Sequence, residues 1–288
     1  MRTNGDCGLV GEPVGLIAGW GEFPVMVARA LRALGHSVVC VGIEGHADAS
    51  LSSVCNRFEV LGLTRLGGHI RYLKRHGIQR ATMAGKIQKR LIFERGFLWR
   101  HIPDWTCVRT FFPHFVRGKR DRKDDSLLLA VVDAYAQHGI SLLPATDFAP
   151  ELLVSAGHLA GPPLKAWQQR DVEFGWVLAK EMGRLDVGQS VAVKGQAVLA
   201  VEAVEGTDLC IRRAGELCPS GGFTVVKVAK PQQDMRFDVP TIGVGTLDSM
   251  LAAGANVLAV EADKTIFINR DAIVSLAESR RITIVAME

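Results

Sequence analysis

The sequence predicts a two-domain α/β protein, and three observations predict it. Short apolar, β-branched runs alternate with helix-patterned segments in both halves of the chain, as strands and helices packed in layers do. The first run enters a glycine turn, Gly19-Trp20-Gly21, that opens into a helical pattern. A stretch rich in proline and glycine separates the halves, and 288 residues suit two domains.

The elements follow in order. Positions 14–18 form a strand. After the turn comes Pro24, then a helix carried by Val27, Leu31 and Leu34 and stopped by Gly35. A second strand at 37–41 completes a βαβ unit within about 30 residues. A helix at 66–76 stops at Gly77, and a strand at 81–84 leads into Gly85-Lys86. Asp124-Asp125-Ser126 opens a helix over 127–137, its acids suiting the positive end of the helix dipole, and Gly139 stops it. Positions 141–144 are strand-like. This half, 1–144, is read as a Rossmann-like domain. Pro144, Pro150, Gly157, Gly161, Pro162 and Pro163 break the pattern, so 145–165 is read as a linker. The second domain, 166–288, starts with a helix at 170–183. Strands at 190–193 and 197–201 form a hairpin around Lys194-Gly195-Gln196. A strand at 223–228, a helix at 246–253, strands at 257–260 and 265–268, a helix at 271–279 and a strand at 282–285 complete it.

Composition excludes other classes. Hydrophobic residues are 48% and charged residues 22%, which rules out disorder, collagen and coiled coil for the whole chain. No run lacking Asp, Glu, Lys and Arg reaches the roughly 18 residues of a membrane span. Residues 1–6 are polar, unlike a signal peptide. The six cysteines form no CxxC pair and no zinc spacing. They are expected as reduced, mostly buried thiols of a cytoplasmic protein. The net charge of +4 is uneven. Between Lys86 and Lys123 there are eleven Lys and Arg against Glu94, Asp104 and Asp121, a local +8 that leaves −4 elsewhere. That stretch is either a solvated basic face or a surface for a phosphate or lipid headgroup.

Four motifs could carry chemistry. The Gly19-Trp20-Gly21 turn places backbone N–H groups and a helix N-terminus where an anion binds. Pro24 stands where a dinucleotide fingerprint has its third glycine, while Glu44 stands where its ribose-binding acid would be. Gly85-Lys86 pairs close backbone approach with a point charge for phosphate, without the spacing of a P-loop. Residues 201–208 put Glu202, Glu205 and Asp208 beside Gly206 and Thr207. This oxygen-rich turn suits Mg²⁺, and it equally suits a hairpin end whose Thr207 or Asp208 caps the next helix. Residues 225–243 mix Lys227, Lys230 and Arg236 with Asp234 and Asp238. Cations for phosphate oxygens and an acid for metal or water would make a phosphoryl-transfer site, whereas the plainer reading is a charged loop before a buried strand. No GxSxG elbow, HExxH or kinase set is present.

These residues make the chain resemble the LpxI-type UDP-2,3-diacylglucosamine pyrophosphatases of lipid A biosynthesis. The resemblance rests on Gly15-Leu16-Ile17-Ala18-Gly19 with Gly21 and Pro24, on Gly85-Lys86, and on Lys123-Asp124-Asp125-Ser126-Leu127-Leu128. It continues with residues 183–189, Glu205-Gly206-Thr207-Asp208, Ile211-Arg212-Arg213, Lys227-Val228-Ala229-Lys230-Pro231 and Asp238-Val239-Pro240-Thr241-Ile242-Gly243. Trp20 departs from it, where the family turn often has a small residue.

The resemblance implies two domains with a lipid nucleotide between them, and Mg²⁺-dependent hydrolysis to UMP and 2,3-diacylglucosamine 1-phosphate, with attack on the sugar-side phosphorus. It makes Asp238 the catalytic residue; Glu205, Asp208 and Asp238 are the expected metal set. Ala18, Gly19, Gly85, Lys86, Asp124, Thr207, Lys227, Lys230 and Gln233 become the substrate-binding set. The expected partners are the lipid-nucleotide substrate and, through the basic stretch, the anionic cytoplasmic face of the inner membrane. No nucleic acid is expected, and a homodimer stays open. Two alternatives remain: an NAD-dependent oxidoreductase, from the βαβ turn and Glu44, and a non-catalytic binder of an anionic lipid or nucleotide, from the local +8.

Overall fold

The computed structural model describes residues 11–87, 102–116 and 124–288, with the side chains of 113–116 and 124–126 outside the description. Contacts divide the chain into two units, Met1–Pro150 with Met235–Phe237, and Glu151–Asp234 with Asp238–Glu288.

The first unit contains β1 (Pro13–Ala18), α1 (Phe23–Ala33), β2 (Ser37–Ile43), α2 (Leu51–Val54), β3 (Arg57–Leu61), α3 (Leu66–Arg75) and β4 (Arg80–Ala84). After these come α4 (Trp105–Val116), α5 (Asp124–Ala136), β5 (Ser141–Leu142) and α6 (Ala145–Phe148). The five strands are all parallel, in the order β3-β2-β1-β4-β5. β1 is central and buried from Val14 to Ala18, which is why it reads as a continuous apolar run. Ile17, Val39, Val41, Ile70, Leu73, Tyr135 and Ile140 form the core around it. The helices α1, α3 and α5 end alike. The N–H groups of His36, Ile78 and Ile140 reach back to Leu31, Leu73 and Tyr135, with Gly35, Gly77 and Gly139 left-handed between. The edge strand β3 escapes sequence reading because its side chains are exposed or half-buried and form no apolar run.

The second unit contains β6 (Gly157–Ala160), α7 (Ala166–Arg184), β7 (Ser190–Lys194), β8 (Ala197–Val201), α8 (Thr207–Leu217), β9 (Phe223–Lys227) and β10 (Thr241–Ile242). α9 (Val244–Ala253), β11 (Ala255–Glu261), β12 (Ile266–Phe267), α10 (Arg270–Arg280) and β13 (Thr283–Met287) follow. Six strands form a mixed sheet of order β6-β13-β11-β9-β7-β8, with β9, β11 and β13 parallel. Alternate residues serve opposite faces. Val225, Leu258, Val260 and Ile284 pack with Ile211, Leu247, Met250 and Ile273 of α8, α9 and α10. Val226, Val257 and Ala259 pack beneath Val172 and Ala179 of α7. Gly175 lets α7 lie close, since a Cβ there would come 2.7 Å from a Val226 methyl.

The hairpin at 190–201 forms as expected, and the buried Asp171 carboxylate accepts from the N–H groups of Gly195 and Gln196 in its turn. The stretch 145–165, expected as a linker, instead carries α6 and β6. Its glycines and prolines bound these short elements, and β6 pairs antiparallel with β13. Five cysteines are buried free thiols; Cys7 lies outside the described residues. Among the described residues no helix is long and apolar enough to cross a membrane.

Candidate functional site

In the first sheet the winding reverses between β1 and β4, and sheets of this order bind ligands in the crevice outside the carboxyl ends of those strands. Ala18 ends β1, and Gly85-Lys86 directly follows β4. The Gly19 N–H donates to the Ala84 carbonyl at 2.8 Å, and Trp20 and Lys86 exchange backbone hydrogen bonds at 2.8 and 2.9 Å. Both glycines are needed for this approach. A Cβ on Gly19 would lie 2.8 Å from the Lys86 carbonyl oxygen, and Gly85, at φ 91°, would place one 2.8 Å from the Gly19 carbonyl carbon.

That geometry corrects one expectation. The amides of Gly19 and Trp20 are engaged with the β4 segment, so they do not cradle an anion. The turn offers the exposed Lys86 side chain and a half-exposed Trp20 instead. Glu44 stands exposed beyond β2, and Pro24 takes the place of the third glycine of a dinucleotide fingerprint. Asp124 begins α5, and its side chain lies outside the described residues, as does most of the basic stretch, 88–101 and 117–123.

In the second unit, β9 delivers Lys227 to the carboxyl edge of the sheet, with only 7% of the residue exposed. Its ammonium donates to Thr207 Oγ1 at 3.1 Å and to the Thr241 carbonyl at 3.2 Å. Thr207 opens α8 after Gly206, whose φ of 84° suits glycine. Thr207 in turn donates to Glu202 Oε1 at 3.1 Å, and Ser190 Oγ lies 3.3 Å from it. The Asp238–Gly243 segment is fixed by the β10–β12 ladder: Ile266 N–H bonds the Pro240 carbonyl and Ile268 N–H the Ile242 carbonyl. Asp238 is exposed just ahead of that ladder, its N–H bonded to the Asp234 carbonyl at 3.0 Å.

Lys230 and Gln233 close a turn on each other. Gln233 Oε1 accepts from the Lys230 N–H at 2.8 Å, and the Gln233 N–H returns to the Lys230 carbonyl at 3.0 Å. The Gln233 Nε2 is buried with no acceptor among the described residues. The Lys230 ammonium meets Asp186 Oδ1 at 2.8 Å. Asp186 terminates α7 in left-handed conformation, φ 57°, a place where Gly35, Gly77 and Gly139 stand elsewhere. Beneath these residues, Glu261 at the end of β11 accepts from the Ala229 N–H and pairs with Lys180 and Lys264. Burial raises its pKa, and Lys180, the Ala229 N–H and Lys264 more than reverse this, leaving it below the usual carboxylate value.

The expected metal set does not come together. Glu205 Oε1 is paired with Arg213, and Oε2 accepts from the Ala203 N–H. Its own backbone N–H, then the Arg213 guanidinium, hold the carboxyl below the usual range. Asp208 is exposed in the first turn of α8, complementing the helix dipole. Among the described residues no three His, Cys, Asp or Glu side chains group to hold a metal.

Sequence reasoning left Ser190, Asp186 and Thr241 out of the site. Asp186 sits inside a recognised motif, and an aspartate at a helix end before Val-Gly is the signal that could have found it. Glu202 reads as one of the acids of the turn, since nothing local marks it as buried.

Comparison with known proteins fits this architecture. The family model for the LpxI N-terminal domain matches residues 13–152, and that for the LpxI C-terminal domain matches residues 155–285. The chain belongs to the LpxI family. The UDP-2,3-diacylglucosamine pyrophosphatase LpxI of Caulobacter vibrioides is 29% identical over 272 residues, spanning 92% of this chain and 94% of the relative. In this LpxI-family chain Thr207 and Thr241, from two motifs of the second unit, meet at Lys227, whereas the glycine motifs of the first unit bring β1 and β4 together.

Proposed function

We propose that this protein hydrolyses the pyrophosphate of UDP-2,3-diacylglucosamine to UMP and 2,3-diacylglucosamine 1-phosphate. The observation that carries the reading is the buried Lys227 ammonium, which donates to Thr207 at the N-terminus of α8 and to the Thr241 carbonyl within the Asp238–Gly243 motif. A lysine ammonium beside a helix N-terminus favours phosphate, the anion of the relative's named substrate.

Water's oxygen forms a bond to one phosphorus, the bridging P–O bond breaks, and the electron pair leaves on the other phosphate. Asp238 orients the water and receives its proton. Lys227 and Lys230 hold phosphate oxygens as charge builds on the departing phosphate. Asp238, together with the substrate phosphates, would hold Mg²⁺, which would add charge neutralisation there. Reaction in ¹⁸O-water, followed by mass spectrometry, tests the regiochemistry. Label in the lipid 1-phosphate supports attack at the sugar-side phosphorus, and label in UMP contradicts it.

The same reading puts the protein against an anionic membrane surface. Along α4 and the residue turn before it, Ile102, Trp105, Val108 and Phe112 are 58%, 77%, 39% and 58% exposed, beside an exposed Arg109. Aromatic and apolar side chains on one face of a basic segment suit a lipid interface. Co-sedimentation with phosphatidylglycerol vesicles, lost in high salt and in Trp105→Ser/Phe112→Ser, is the expected result; equal binding to phosphatidylcholine vesicles would remove the electrostatic part.

A further inference from the structure

We infer that Glu202 is a positioning residue that holds the Lys227 ammonium in place through the Thr207 hydroxyl. The inference rests on the reading of Lys227 as the cation that meets substrate phosphate.

A threonine hydroxyl has one donor and two acceptor positions. Here each can be assigned. Lys227 has no acceptor of its own, so across their 3.1 Å contact the threonine must accept. Thr207 therefore keeps its proton for Glu202 Oε1, and its second acceptor position faces Ser190 Oγ. Because Glu202 takes that proton, the lone pairs of Thr207 are turned toward the lysine. Replacing the carboxylate by an apolar group leaves the hydroxyl to rotate, and its proton then competes with the ammonium for the same space.

The carboxylate is itself fixed. Glu202 is 7% exposed, and its N–H bonds the Ser190 carbonyl at 2.8 Å. Gly188 lies against it so tightly that a Cβ on Gly188 would overlap the Glu202 carbonyl. Ser190 is paired in register with Lys227 across β7 and β9, so the support and the lysine share one rigid sheet. The second carboxylate oxygen, Oε2, is buried with no hydrogen-bond partner among the described residues. Burying an unpaired carboxylate oxygen is costly, so this one is not explained by stability alone. A negative charge one hydroxyl away from a buried ammonium offsets part of the cost of burying that ammonium.

The test combines turnover with a substrate-free readout. With UDP-2,3-diacylglucosamine, Glu202→Ala and Thr207→Val should each lower kcat/KM about 10- to 100-fold. In a Lys227→Met background the same changes should cost less than about twofold, because residues acting through one another are non-additive. Glu202→Gln, which keeps an acceptor of the same shape, should recover most of the loss and covers the case in which the alanine variant does not fold. In protein labelled at lysine ¹³Cε, the NMR signal assigned to Lys227 by its loss in Lys227→Met should shift or broaden in Glu202→Ala and Thr207→Val without substrate. An unmoved Lys227 signal, full additivity with Lys227→Met, or a glutamine variant as impaired as the alanine would overturn the inference. A wild-type protein that makes no UMP yet shows the NMR response would instead refute the proposed substrate and leave the relay standing.

Discussion

Single residues in the second unit are held by partners distant in sequence, and Glu261 shows the energetics most directly. It is buried, and Lys180, Lys264 and the Ala229 N–H all meet it. Its carboxyl titrates below the usual value, so the folded state binds its proton less readily than the unfolded chain. The stability it contributes is therefore present above the unfolded pKa of about 4.3 and is lost as pH falls through the depressed folded value. Glu261→Gln should lower stability by about 1–3 kcal/mol at pH 7, with the difference from wild type shrinking below about pH 4. Thermal melts across pH check this, and a gap that stays constant into acid would show that charge plays no part. None of this is legible in the sequence, because 81 positions separate Lys180 from Glu261. Glu205 is a nearer case. The helix that begins at Thr207 brings Arg213 back over the turn, which turns an expected metal ligand into one side of an ion pair.

Helix ends are the elements that sequence reads best and that this chain uses twice in an unusual way. Gly35, Gly77 and Gly139 are legible stops because a left-handed residue must follow each helix and glycine takes it without strain. Asp186 after α7 and Arg281 after α10 occupy the same position without being glycine, at φ 57° each. At both ends the hydrogen-bond pattern is that of the glycine ends: Val187 N–H to the Met182 carbonyl, and Ile282 N–H to the Ala277 carbonyl. Arg281→Gly should relieve about 1 kcal/mol of strain and raise Tm by about 2–4 °C, with turnover unchanged. Asp186→Gly should relieve the same strain but remove the carboxylate on Lys230, so turnover falls while stability rises. Paired melting and rate measurements check both. If Asp186→Gly keeps the full rate, the strained aspartate is not there for Lys230. Edge elements are the opposite case: β3 and β6 lie at sheet margins, where exposed side chains leave no period to read.

At the scale of the whole molecule, the alternation of strands and helices makes both α/β units legible, and the strand order then places Gly19 and Gly85 at the switch point. What the order of elements does not reveal is how the amides there are used. They join β1 to β4, and the Lys86 side chain beside them is exposed. In the second unit the buried Lys227 links the Thr207 and Thr241 motifs at the end of β9, and Asp238 stands exposed ahead of Thr241. Hydrolysis at this edge of the sheet is tested most directly by UMP release from UDP-2,3-diacylglucosamine by the purified protein with Mg²⁺, for wild type and for Asp238→Asn with the same folded spectrum. Wild type should form UMP steadily, and the variant should lose at least about 100-fold. No UMP above blank from folded wild type, or full turnover by Asp238→Asn, would contradict it.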